Sequence, residues 1–190
     1  MRTMFKVFSV VALTAAGLTA AALTVERNSK DPAISIEVDR ADRKLIVYQN
    51  GAESMTFDIA VGKESHPTPA GQFYIEKIIW NPGWVPPNAG WSADEEPKDP
   101  GDPENPMQGV KIYFNPPDYF IHGTNSPQSI GEAASHGCIR MEVNDALRLG
   151  RALQDLSGSQ QNDEWYADVT GDPTETKEVM LASPVPIVIR

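Results

Sequence analysis

Apolar and polar residues alternate through most of residues 34–79, and a chain patterned with a period of two buries one face only by pairing as β-sheet. Ile34, Ile36 and Val38 alternate with polar neighbours, and Leu45 to Tyr48 follows a short charged turn. Asn50-Gly51 tolerates the positive φ of a type I′ turn at both positions, so Met55, Phe57, Ile59 and Val61 are expected to fold back as a third strand. Residues 62–71 hold Pro67 and Pro69 and read as a stiffened connection, after which alternation resumes over Phe73 to Ile79.

From Trp80 to Gly109 the periodicity stops. This stretch holds seven of the 16 prolines, three of the four tryptophans and six acidic residues, so a regular helix or central strand is excluded. Its aromatics argue for order, and it is expected to form a lid or substrate-facing loop, with a plain insertion as the alternative. Short strands are expected at Val110 to Phe114 and near Tyr119 to Ile121. Val143, Ala146, Leu147, Gly150 and Leu153 recur at helical spacing, which predicts a principal helix over Asn144 to Leu156 closed by Gly158. Residues 159–177 are polar with weak periodicity, and Val185, Ile187 and Ile189 form a last strand.

The chain has 190 residues and 16 Lys and Arg against 26 Asp and Glu, a net charge of -10 that disfavours nucleic acid as a partner. One globular domain over residues 34–190 and a monomer are expected. Arg2 and Lys6 precede an apolar, Ala-rich run ending near Val25. Residues 1–25 therefore read as an export signal with a small-residue site at Ala20 to Ala22, or as a retained membrane anchor, followed by a linker over residues 26–33. An exported chain with one cysteine has no internal disulfide, and its lone thiol invites a chemical explanation.

That cysteine has histidines near it in sequence. His122-Gly123-Thr124 ends a predicted strand, and Ser135-His136-Gly137-Cys138-Ile139-Arg140 precedes the predicted helix. A thiol with a pKa of roughly 8.5 needs a base, a cation or a helix N-terminus to act as a nucleophile at neutral pH, and this segment offers all three. Gly137 and Cys138 are candidate amide donors to an oxyanion, and Arg140 is a candidate partner for a substrate carboxylate or an exposed structural residue. Two other readings stay open at this point: a zinc site of His122, His136 and Cys138, and a buried thiol with two core histidines.

These two segments resemble the signature of the L,D-transpeptidase catalytic domain family, supported by Val61-Gly62-Lys63 and Pro67-Thr68-Pro69-Ala70-Gly71. The resemblance runs from about Ile34 to Ile189. It implies a mainly β fold, a β-sandwich of mixed sheets with one principal α-helix and the long Pro/Trp-rich loop over a cleft. It also implies Cys138 as nucleophile, His122 as general base oriented by the Gly123 carbonyl, and His136 and Gly137 on the oxyanion side. Arg140, Ser135, Thr124, Trp84 and Trp91 are then expected to meet substrate, and neither a cofactor nor a metal is expected. The implied substrates are peptidoglycan stem peptides, donor and acceptor, in the periplasm or cell envelope. Acyl transfer to an amine, an L,D-carboxypeptidase using water, and an inactive wall-binding module are the three functions compatible with the signature.

Overall fold

The computed structural model describes residues 33–190, so the expected leader and nearly all of the expected linker lie outside the described residues. The chain opens with β1 (Ile34–Asp39), β2 (Lys44–Gln49) and β3 (Ala52–Asp58), an antiparallel meander. Asn50 and Gly51 both have positive φ, 51° and 78°, as the type I′ turn requires. Phe57 is buried in β3, whereas Ile59 and Val61 have left that strand, Val61 beginning the two-residue β4 (Val61–Gly62). β5 (Gly71–Trp80), β6 (Gln108–Asn115) and β7 (Tyr119–Gly123) follow as neighbours, and β8 (Ala133–Ser135) and β9 (Ile139–Met141) flank the segment with the cysteine.

Two helices come next. The principal one, α1 (Val143–Leu156), ends as expected: Ser159 N–H bonds to Gln154 carbonyl and Gly158 N–H to Asp155 carbonyl, with Gly158 at φ +86°. This is a Schellman closure, which favours glycine because a Cβ is strained there. A second helix, α2 (Asp163–Gly171), lies where only a polar segment was expected. Asn162 Oδ1 accepts from Trp165 N–H at 2.8 Å, capping it, and Tyr166 and Val169 are its buried residues. The last strand, β10 (Lys177–Ile189), is longer than the alternation of Val185, Ile187 and Ile189 indicates. Its register shifts between Met180 and Val185, and Pro184 and Pro186 obscure the pattern.

Eight strands form one mixed sheet in the order β3-β2-β1-β10-β5-β6-β7-β9, with β1 and β10 parallel and β7 and β9 parallel. β4 and β8 make a small second sheet. The large sheet curls until its two ends meet: Ala60, just beyond β3, exchanges two 2.9 Å backbone hydrogen bonds with Arg140 of β9. One apolar core fills the interior with side chains from most strands and both helices. α1 lies against β5 and β6 where Gly150 leaves room, since a Cβ there would sit 3.3 Å from Trp80 and Val110. Trp80 Nε1–H also donates to Gln154 Oε1, and burial of Leu149 and Leu153 adds about 1.5–3 kcal/mol each.

Candidate active site

Register across β6, β7 and β9 sets the site. Ile112, Ile121 and Ile139 align as one row, and Lys111, His122 and Arg140 align as the next. Successive side chains point to opposite faces, so the isoleucine row enters the core at 0% exposure while the ionisable row faces a cleft. Cys138 lies two residues before Arg140 and therefore shares its face. Its sulfur packs beside a small cluster of Trp84, Met107 and Phe120, and Tyr113, which pairs with Phe120, packs against the same cluster.

The turn before the cysteine is built by Ser135. Its Oγ donates to the Cys138 carbonyl at 2.6 Å and accepts from Gly137 N–H at 3.1 Å, so the buried Ser135 braces the turn while also lining the cleft. Gly137 has φ +112°, and a Cβ there would fall 2.6 Å from the Tyr119 ring. Its N–H is thereby occupied, which departs from the expected pair of amide donors. Cys138 N–H makes no hydrogen bond among the described residues.

His122 is almost wholly buried, and its Nδ1–H donates to the Gly123 carbonyl at 2.8 Å. A carbonyl only accepts, so this bond fixes the tautomer and leaves Nε2 as the acceptor. Gly123 must be glycine, because a Cβ there would meet the Gln108 carbonyl oxygen at 2.4 Å. Burial pushes the His122 pKa down to about 4, with the Gly123 and Pro106 carbonyls opposing it and the Arg140 and Lys111 charges adding to it. Burial also pushes the Cys138 thiol up to about 11, against the Phe120 backbone hydrogen bond and the same two cations. Both shifts favour the uncharged thiol and the uncharged imidazole. The expected help of a helix N-terminus is removed as well, because β9 carries the chain away before α1 begins and a helix dipole acts within about one turn.

His136 stands elsewhere on the cleft wall. Lys63 Nζ donates to its Nε2 at 2.9 Å, Trp91 stacks on it at 4.0 Å and 4°, and His66 meets it edge-on at 5.0 Å. Burial and the Lys63 charge lower its pKa. Lys63 reaches it because the loop after β4 doubles back tightly: Gly62 N–H donates to Thr68 Oγ1, and a Cβ at Gly62 would collide with the His66 carbonyl at 2.2 Å.

Trp91 thus ties the loop after β5 to the cleft wall, and Trp84 lines the cleft from the same loop. That loop is pinned from within. Asn105 Nδ2 donates to the Pro82 and Asp99 carbonyls, Lys98 pairs with Glu104, and Asn81 Nδ2 donates to Val169, Asp172 and Glu175 carbonyls. Thr124 departs from its expected place: it is buried outside the cleft, its Oγ1 accepting from Ser126 N–H.

The cleft encloses about 740 Å³ and brings Cys138, His122, His136, Arg140, Trp84 and Trp91 together. Sequence reasoning missed Lys111, Tyr119, Phe120 and Asp118, whose carbonyl accepts from the Cys138 thiol at 3.5 Å. Lys111 had a signal: strand alternation puts it on the face opposite Ile112. Among the described residues no three His, Cys, Asp or Glu side chains converge as metal ligands, and both histidines have one ring nitrogen already engaged. The zinc arrangement of His122, His136 and Cys138 therefore has no geometric support.

A sequence profile of the L,D-transpeptidase catalytic domain matches residues 33–180. The chain belongs to the L,D-transpeptidase catalytic domain family. The Bacillus subtilis L,D-transpeptidase YkuD is 36% identical to this L,D-transpeptidase domain over 137 residues, 70% of this chain and 71% of that protein. YkuD of Bacillus licheniformis is 36% identical over 65% of this chain and 62% of that protein. Among solved structures, L,D-transpeptidase 3 from Mycobacterium tuberculosis has a TM-score of 0.53 at 15% identity, over 84% of this chain and 61% of that one, a likeness of fold. The domain thus spans less than two thirds of the Bacillus licheniformis and mycobacterial chains. The mainly β, mixed-sheet architecture with one principal helix is the one the resemblance implied.

Proposed function

We propose that this domain transfers an acyl group from a peptidoglycan tetrapeptide stem to an amine through a thioester on Cys138. One observation carries the reading: Cys138 and His122 share one face of the sheet and one cleft, and the bond to Gly123 leaves His122 Nε2 free to accept a proton. In this scheme Nε2 takes the thiol proton as sulfur attacks the carbonyl of the L-centre of the third stem residue. The C–N bond to the terminal D-alanine breaks, the imidazolium returns the proton to the departing amine, and the acyl group stays on sulfur. An acceptor amine attacks the thioester and gives its proton to His122, which passes it to the departing sulfur and so restores the neutral imidazole and the thiol. A neutral starting pair suits this concerted use of the base, because proton transfer accompanies attack rather than preceding it.

Cys138 N–H is the donor left for the developing oxyanion, with His136 held in place by Lys63 and Trp91 beside it. Arg140 suits a substrate carboxylate. Substrates of this kind lie at the cell envelope, which is in keeping with the expected export of the chain. Incubation with a tetrapeptide muropeptide should add the mass of the acyl fragment once per chain, and Cys138→Ala should abolish the adduct. Turnover by Cys138→Ala would refute the scheme. Products of the digested wall separate the acceptors, since an amine gives cross-linked dimers and water gives trimmed tripeptides.

A further inference from the structure

Lys111 and Arg140 occupy the two ends of the row whose middle member is His122. Strands lie about 4.8 Å apart, so the two backbones are separated by roughly 9.6 Å, a gap that long side chains can close around one small anion. Both side chains line the cleft. The ion pairs among the described residues all engage other lysines and arginines, and the contacts of Lys111 Nζ are with aromatic faces, 4.0 Å from the Phe120 centroid and 4.8 Å from that of Tyr113.

A chain of net charge -10 has carboxylates in excess, and Glu95, Glu104 and Asp118 reach the same cleft. These two cations are nonetheless left without one. Lys111 rests on aromatic faces and Arg140 has no ion-pair partner among the described residues, so both charges stay available for charge-assisted hydrogen bonds to an incoming anion.

Lys111 leans along its strand toward Phe120, on the sulfur side of His122. Cys138 and His122 line the same cleft as the two cations, and His122 stands between them in the strand row, so a carboxylate held by Lys111 and Arg140 would lie beside the reacting atoms. In a donor whose scissile bond precedes the last residue, the terminal carboxylate lies only roughly 3–4 Å from the attacked carbon.

We propose that Lys111, acting with Arg140, binds the free terminal carboxylate of the donor stem, so that the cleft selects a peptide whose chain ends one residue beyond the scissile bond. This rests on the acyl-transfer reading and adds to it a specificity determinant outside the Ser-His-Gly-Cys segment.

The test compares two tetrapeptide donors, one with a free terminal carboxylate and one with a terminal carboxamide. Wild-type protein should acylate from the acid with kcat/KM about tenfold or more above the amide, the scale of a charge-assisted hydrogen bond. Lys111→Met should lose more on the acid than on the amide, so that the acid-to-amide ratio of kcat/KM falls about tenfold toward one, whereas Lys111→Arg should retain the preference. Equal rates for both donors in the wild type, or an undiminished preference in Lys111→Met, would overturn the proposal. Calorimetric binding of both donors to Cys138→Ala, with and without Lys111→Met, separates recognition from chemistry. A Lys111-dependent preference for the acid there supports the proposal even if wild-type protein forms no thioester, while equal binding of acid and amide overturns it.

Discussion

Two neighbouring rows across β6, β7 and β9 are one residue apart in position and opposite in character. Ile112, Ile121 and Ile139 are sealed in the core, while Lys111, His122 and Arg140 face the cleft. The same backbone ladder holds both rows, so the rigidity won by packing one face is inherited by the side chains on the other. A slip of one residue would put charges into the core and isoleucines into the cleft. Placement of the chemistry and burial of the core are therefore a single specification, not two.

The contrast is sharpest at its centre. His122→Ala should reduce kcat/KM for thioester formation by about 10²–10⁴-fold, followed by intact mass over time. A loss under tenfold would remove His122 from the role of base. Its neighbour should behave in the opposite way: Ile121→Ala should cost about 2–5 kcal/mol in chemical denaturation, because a residue with 0% exposure leaves a cavity. If Ile121→Ala were near neutral in stability, the isoleucine row would not be the part that holds the ladder.

Acid should also separate the rows. His122 has a pKa of about 4 when folded and an ordinary value of 6.5 otherwise, so between these values the unfolded chain binds a proton that the native chain does not. Stability contributed by the neutral ring is full above pH 6.5 and is lost as pH falls toward 4, a change of about 3 kcal/mol. His122→Gln should flatten that part of the stability–pH curve relative to wild type; parallel curves would contradict the buried neutral ring. In the same neutral-pair picture, alkylation of Cys138 without substrate should keep rising toward pH 11 instead of levelling near its ordinary pKa. The smallest expected effect is at the rim. Trp91→Ala should cost only about 0.5–1.5 kcal/mol, since one face of the ring is stacked on His136 and the residue is 44% exposed, and it should speed labelling of Cys138 a few-fold. Unchanged labelling would mean the loop does not cover the sulfur.

What the sequence made legible was local. Alternation located β1 and β2, the Asn-Gly pair located the turn after them, and helical spacing with Gly158 located α1. The hidden elements were those whose pattern is short or broken: α2 runs nine residues with two buried positions, and the first half of β10 precedes a register shift and two prolines. The site divides in the same way. Cys138 and His122 stood out by residue type and proximity, whereas Lys111 looked like any polar strand residue until pairing put it opposite His122. Thr124 looked like a substrate contact by position, yet it lies outside the cleft with its hydroxyl taken up by a turn, whereas Ser135 braces its turn and still lines the cleft.

The paired amides of Ala60 and Arg140 stitch the first and last strands of the rolled sheet into a seam, and Cys138 sits two residues from it. β9 is held by β7 on one side and by this seam on the other, so opening the seam would leave β7 as the strand that keeps Cys138 and His122 in register. Amide exchange at positions 60 and 140 should therefore report how often the segment beside Cys138 rests on half of its support.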